Sequence, residues 1–173
     1  SDDASIVAAI GDFNSTVSMA AGQVYAQTKL AQLSQTASHP DFVKISEYQF
    51  RNINTQAYEG PLIANWAHAN GAKKVAVIAI QNDWGQSASK NFIDGFKATG
   101  GSVTDVEYFN PGTRDFRSIL TKIGRSQPDA IFLGAFYEDG SAFLQQKLQM
   151  GLKQSVYATS SLYEKKMLDL AGP

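Results

Sequence analysis

The sequence predicts an α/β fold of parallel sheets flanked by helices, and three observations carry that prediction. Apolar strand-like runs alternate with longer amphipathic segments from one end of the chain to the other. The run Val75-Ala76-Val77-Ile78-Ala79-Ile80 is apolar throughout and rich in β-branched residues, as a central strand covered by helices on both faces must be. Turn residues separate the units at Gly71, Gly100-Gly101, Asn110-Pro111-Gly112, Pro128-Asp129 and Gly151.

In chain order, residues 5–10 read as a strand, 16–29 as a helix, 31–33 as a short strand and 49–52 as a short extended segment. Residues 59–70 read as a helix whose apolar positions Leu62, Ile63, Trp66 and Ala67 make one face, with Gly71 as its stop. Strand 75–80 is followed by a helix over 85–98 and a strand over 103–109. From Asp115 a further helix is set by Phe116, Ile119, Leu120 and Ile123. A strand over 130–135, a helix over 140–150, a short strand over 156–159 and a final helix over 162–170 complete the series. The chain opens into its first strand after only Ser-Asp-Asp-Ala and stops at Ala-Gly-Pro beyond a short helix. That predicts a piece of a longer protein with unpaired strand edges.

Composition narrows the function classes. A hydrophobic content of 43% of the chain, with aromatic residues making up 11% of the chain, is ample for a buried core. Fifteen basic residues against sixteen acidic ones leave a formal charge of -1 with no basic run, so the electrostatic footprint of a nucleic-acid partner is missing. No apolar stretch approaches the ~18 residues of a membrane span, and no charged segment followed by an apolar one opens the chain. The absence of cysteine excludes disulfides and thiolate metal sites and leaves the compartment open.

The chemistry concentrates at the carboxyl ends of the first two strands. Ala8-Ala9-Ile10-Gly11-Asp12-Phe13-Asn14-Ser15-Thr16 runs from an apolar strand through a Gly turn into small polar residues at a helix start. Unpaired backbone N–H groups and the positive end of the helix dipole there suit a carboxylate or phosphate, although the same residues also serve as ordinary helix caps. A second hydroxyl-rich stretch, Ser34-Gln35-Thr36-Ala37-Ser38-His39-Pro40, follows the next strand. Open parallel sheets bind ligands at that edge.

Catalytic constellations are missing. Gly85-Gln86-Ser87-Ala88-Ser89 fails the nucleophile-elbow pattern at its last position, and neither a phosphate loop nor a dinucleotide fingerprint occurs. His39 and His68 have no metal-ligand spacing; His39 adjoins Ser38, while His68 lies in a predicted helix. Asp12, Asp83 and Asp139 sit near predicted strand ends, where Asp83 reads as a helix cap and Asp139 as a solvated first-turn charge. The expectation is a protein that binds and does not catalyse, with no metal and no cofactor.

Five segments occur in fixed order: Ile10-Gly11-Asp12-Phe13-Asn14-Ser15, Ser34 through Pro40, Phe50-Arg51-Asn52, Asp83-Trp84-Gly85-Gln86, and Asp115-Phe116 with Pro128-Asp129-Ala130-Ile131-Phe132. Together they resemble the type I periplasmic solute-binding proteins of ABC importers, in particular the branched-chain amino acid group. The resemblance implies a two-lobe periplasmic-binding-protein type I fold, with Rossmann-like parallel sheets flanked by helices, incomplete in this chain. Residues 1–52 would be part of lobe one, with a crossing over 52–56, and 53–173 most of lobe two. The ligand would lie in the cleft, which closes by hinge motion.

The resemblance also implies site residues. Ser15 falls where the family has a Ser on the ligand carboxylate, beside Phe13 and Asn14; Thr36, Ala37 and Ser38 fall on the second loop, which holds the same carboxylate and the amine. Trp84 and Phe136 fall at aromatic positions facing the cleft, and each also reads as core. Ser160 departs from the pattern, because amino acid binders commonly carry there a carboxylate that neutralises the ligand ammonium. Either Glu138, Asp139 or Glu164 supplies the charge instead, or the ligand has no amine. The implied partners are a small carboxylate-bearing molecule and a membrane ABC permease, and the implied location is periplasmic or extracellular. The competing reading is a ligand-sensing domain of a receptor or transcription regulator with the same fold.

Overall fold

The computed structural model describes Asp3 and residues 5–171; Ser1, Asp2, Ala4, Gly172 and Pro173, and with them most of both chain ends discussed above, lie outside the described residues. The elements are β1 (Ala8–Ile10), α1 (Ser15–Gln27), β2 (Ala31–Ser34), β3 (Gln49–Arg51), α2 (Gln56–Ala69), β4 (Lys74–Ile80), α3 (Asp83–Ala98), β5 (Ser102–Phe109), α4 (Arg117–Ser126), β6 (Ala130–Gly134), α5 (Tyr137–Gln149), β7 (Ser155–Ala158) and α6 (Lys165–Ala171). They build two parallel sheets, β1-β2-β3 and β5-β4-β6-β7.

The second sheet carries the core, and β4 lies inside it between β5 and β6. Residues 75–80 are all buried. Alternate side chains serve two faces, as the strand period of two dictates. Ala76, Ile78 and Ile80 pack with Phe116, Leu120 and Ile123 under α4 and with Phe143 of α5. Val75 and Val77 pack with Phe92 and Phe96 of α3 and with Ile63, Ala64 and Ala67 of α2. The unalternating run is thereby explained by helices on both sides.

Several boundaries differ from the sequence expectation, the helix expected over 140–150 starting at Tyr137 among them, and four have a local reason. Strand 5–10 shortens to Ala8–Ile10, because only those residues pair with β2, at Ala31, Gln32 and Leu33. The helix expected to start at Gly85 starts at Asp83, and its cap is Asn82, whose Oδ1 accepts the Gly85 N–H at 2.8 Å. The last helix begins only at Lys165, because Ser160–Leu162 wind into a 3₁₀ turn. Helix α2 starts three residues before Glu59, anchored by buried Gln56, and runs through Pro61.

Its buried face also differs. Gly60, Ile63, Ala64 and Ala67 face inward, while Leu62 and Trp66 are 55% and 63% exposed. The cause is close approach: a Cβ on Gly60 would stand 2.7 Å from the Asn91 carbonyl carbon of α3, and one on Gly95 2.7 Å from Pro61 Cα. Small residues let the two helices meet backbone to backbone and rotate the bulky ones outward. In the first sheet, Ile10, Leu33 and Phe50 are in register on one face and all exposed.

Gly60→Ala gains up to about 1 kcal/mol of helix propensity but must displace backbone, and overpacking of that kind costs about 1–3 kcal/mol. The variant is therefore expected to lower the thermal midpoint, by about 2–4 °C for each kcal/mol lost. An unchanged or raised midpoint would contradict the close packing of α2 on α3.

Candidate functional site

The two hydroxyl-rich loops of the first sheet are tied into one unit. The Asp12 carbonyl accepts the hydroxyls of Ser18, Ser34 and Thr36, each at 3.1 Å. Asn14 caps α1, its Oδ1 accepting the Thr16 N–H at 2.8 Å. Ser34 Oγ accepts the Ala37 N–H at 2.9 Å, and Ser15 Oγ accepts the His39 N–H at 3.2 Å. Beneath the second loop the Arg51 guanidinium donates to the carbonyls of Ala37, His39 and Pro40 at 3.2, 2.7 and 3.2 Å. A planar, multiply donating cation suits three converging carbonyls.

Ser38, at the tip of this unit, meets the second sheet. Its Oγ accepts the Trp84 indole N–H at 3.1 Å, and its carbonyl accepts the Gln56 backbone N–H at 3.0 Å. Gln56 Nε2 donates in turn to the Trp84 carbonyl at 3.0 Å. Trp84 is 5% exposed and stacks on Phe136 with centroids 4.8 Å apart, and Phe13 lies 5.9 Å from the same Phe136 ring.

A cavity of about 160 Å³ lies between the sheets at this junction. Seven of the nine expected site residues line it: Phe13, Asn14, Thr36, Ser38, Trp84, Phe136 and Ser160. The other two stand behind the wall. Ser15 is 1% exposed with its hydroxyl engaged by His39, and Ala37 is fully buried, so both shape the loops from within.

The acids considered from sequence lie elsewhere. Glu138, Asp139 and Glu164 do not line the cavity. Asp139 is in the first turn of α5 as expected but is buried and not solvated, and that burial pushes its carboxyl above the usual range against the opposing pull of Arg114. The ionisable group that does line the cavity is Glu59, joined by Ile53, Asn54 and Ser161. Glu59 Oε1 accepts the Ser160 backbone N–H at 2.7 Å across 101 residues of sequence. Glu59 was legible only as a first-turn acid of α2; nothing local linked it to Ser160. His68 packs on the edge of Phe96 and meets Lys73, away from the cavity. Among the described residues no cluster of histidine and acidic side chains could hold a metal.

Two parallel sheets with a cavity between them, its wall shared by hydroxyl, amide and aromatic side chains, make a two-sheet cleft fold. The chain belongs to the periplasmic binding protein family, whose model matches residues 2–173. It is 25% identical over 95% of its length to Leu/Ile/Val-binding protein homolog 1 of Brucella suis, covering 45% of that protein. It resembles the structure of a candidate branched-chain amino acid ABC transporter from Rhodospirillum rubrum, 45% identical, with a TM-score of 0.75 over 99% of this chain and 50% of that one. A solute-binding protein of an ABC transporter from Rhodopseudomonas palustris, solved with 3,4-dihydroxybenzoic acid, is 25% identical, with a TM-score of 0.85 over 95% of this chain and 46% of that one. The fold is the periplasmic-binding-protein type I fold. The chain spans about half the length of the curated relatives it matches.

Two outcomes test the loop geometry. Hydrogen bonds to a charged group contribute about 1.5–3 kcal/mol, so Arg51→Met is expected to lower unfolding stability by that amount in denaturant titration. Burial, the largest influence, holds the His39 imidazole below its ordinary value, aided by Arg51 and Lys44 and opposed by Asp41 and Asp83. Its Nδ1 accepts the Asp41 N–H at 3.1 Å, which protonation would break. A base with a depressed folded-state pKa contributes stability above its unfolded value, near pH 6.5, and loses it as pH falls. Thermal midpoints are expected to fall more steeply below that pH for the native chain than for His39→Asn; parallel profiles would contradict the role.

Proposed function

We propose that these residues form the ligand-contacting half of an extracytoplasmic solute-binding component of an ABC importer. Residues 1–52 would belong to lobe one and 53–173 to lobe two, and the cavity between them would take a small molecule bearing a carboxylate. The observation that carries this reading is the composition of the cavity wall. Its lobe-one side offers the Asn14 amide and the Ser38 hydroxyl around the start of α1, with the Thr36 hydroxyl committed to the Asp12 carbonyl beside them, while its lobe-two side offers the Trp84–Phe136 stack. Neutral donors at a helix start suit a carboxylate, and aromatic faces suit an apolar body.

The mechanism is recognition with closure and involves no chemistry. The carboxylate docks on the lobe-one loops. The Ser38 hydroxyl, already accepting from Trp84, has its own proton to donate. Lobe two then closes, Trp84 and Phe136 cover the rest of the ligand, and the closed form is delivered to a membrane permease. A ligand bound at 100 times its dissociation constant adds about 2.7 kcal/mol to the stability of the closed state.

The test is a thermal-shift screen of the whole mature protein against amino acids, amine-free carboxylates, sugars and nucleobases. A shift with carboxylates is expected, weakened about ten- to a hundredfold in affinity by Ser38→Ala, the equivalent of ~1.5–3 kcal/mol. A response to sugars or bases alone would overturn the carboxylate reading and favour a sensor of other ligands.

A further inference from the structure

We propose that Glu59 reads the amine of the ligand, which makes the substrate class α-amino acids and not amine-free acids; the assignment rests on the carboxylate-cavity reading above. Ser160 brings only a hydroxyl and a backbone N–H to its side of the cavity, but that N–H is held by Glu59 Oε1 at 2.7 Å. A carboxylate therefore stands against Ser160, supplied by the first turn of α2.

Charge balance in the cavity points the same way. The other lining residues are neutral side chains, so Glu59 is the ionisable group of the wall. Among the described residues it has no lysine, arginine or histidine partner, and its second oxygen accepts no hydrogen bond. A purely anionic ligand would bring a second negative charge into a small cavity with no cation to offset either one, and like charges at short range in a partly desolvated site repel. A zwitterion resolves both: its carboxylate meets the hydroxyl loops and the start of α1, while its ammonium meets Glu59. The N–H donors of an ammonium match the free carboxylate oxygen of Glu59 and the neighbouring hydroxyl of Ser160. Glu59 is thus a specificity-determining residue that discriminates between acids of similar body and different charge.

The variant that tests this is Glu59→Gln, because its amide oxygen can still accept the Ser160 N–H while the charge is gone. The whole mature protein and the variant are titrated calorimetrically with the twenty standard amino acids, with the deaminated counterpart of each that binds (4-methylpentanoate for leucine, 3-phenylpropanoate for phenylalanine), and with 3,4-dihydroxybenzoate. The native protein is expected to bind at least one amino acid and its deaminated counterpart roughly 30-fold or more weaker, the scale set by losing one partner of a hydrogen-bonded charge pair. Glu59→Gln is expected to lose that margin for the amino acid, to bind the deaminated acid no worse than the native protein, and to keep the native thermal midpoint without ligand. Equal amino acid affinity in the variant, or a native preference for amine-free acids, would overturn the assignment while leaving the carboxylate cavity standing. Failure of every carboxylate to bind the native protein would overturn both.

Discussion

The structure depends on a three-membered joint between its two sheets. Ser38 accepts the Trp84 indole N–H and the Gln56 backbone N–H, and Gln56 closes the triangle on the Trp84 carbonyl. All three residues are buried, so each bond shields polar groups that would otherwise be desolvated without partners, the costlier alternative. The joint fixes where the hydroxyl loops of the first sheet stand relative to the aromatic pair of the second. The cavity is the space left beside it. Because Ser38 and Trp84 both belong to the joint and to the cavity wall, a molecule seated in the cavity against either one would also sense the relation between the two sheets. In the proposed function, recognition and closure would share the same atoms.

That joint is held from behind on each side. On the first sheet, Arg51 gathers three carbonyls of the second loop while the Asp12 carbonyl gathers three hydroxyls, so the loop tip is set by a network and not by its own propensity. On the second sheet, Trp84 lies in the first turn of α3 just beyond β4, and Phe136 stands two residues beyond β6, the strand buried at every residue. The rigid parallel core thus presents its two aromatics at the carboxyl ends of adjacent strands, the edge at which such sheets take ligands.

Much of this was legible in the sequence, and the reason is topological. Thr36, Ser38, Trp84 and Phe136 all stand within four residues of a strand's carboxyl end, and in a parallel sheet those ends reach the same edge, so local pattern gathers them there. What escaped was whatever depended on orientation or on long separation. Ser15 has the right type and place for a wall residue, but its hydroxyl turned inward to His39. Leu62 and Trp66 fit an apolar helical face, yet glycines at the α2–α3 contact decided which face is buried. The Glu59–Ser160 pair, 101 residues apart, left no local trace; Glu138, Asp139 and Glu164 were the acids considered for that position, while the carboxylate bonded to Ser160 belongs to the first turn of α2.

The central claim is that ligand seats against Trp84 in the cavity between the sheets, and the fluorescence of that indole tests it most directly. The described chain has two tryptophans, Trp84 nearly buried and Trp66 63% exposed, so a Trp66→Phe version of the whole protein isolates the site signal. Titration with a ligand whose binding is also followed by heat should change Trp84 emission saturably, with the same dissociation constant by both methods. Calorimetric saturation without any change in Trp84 emission would place the ligand outside this cavity and contradict the account.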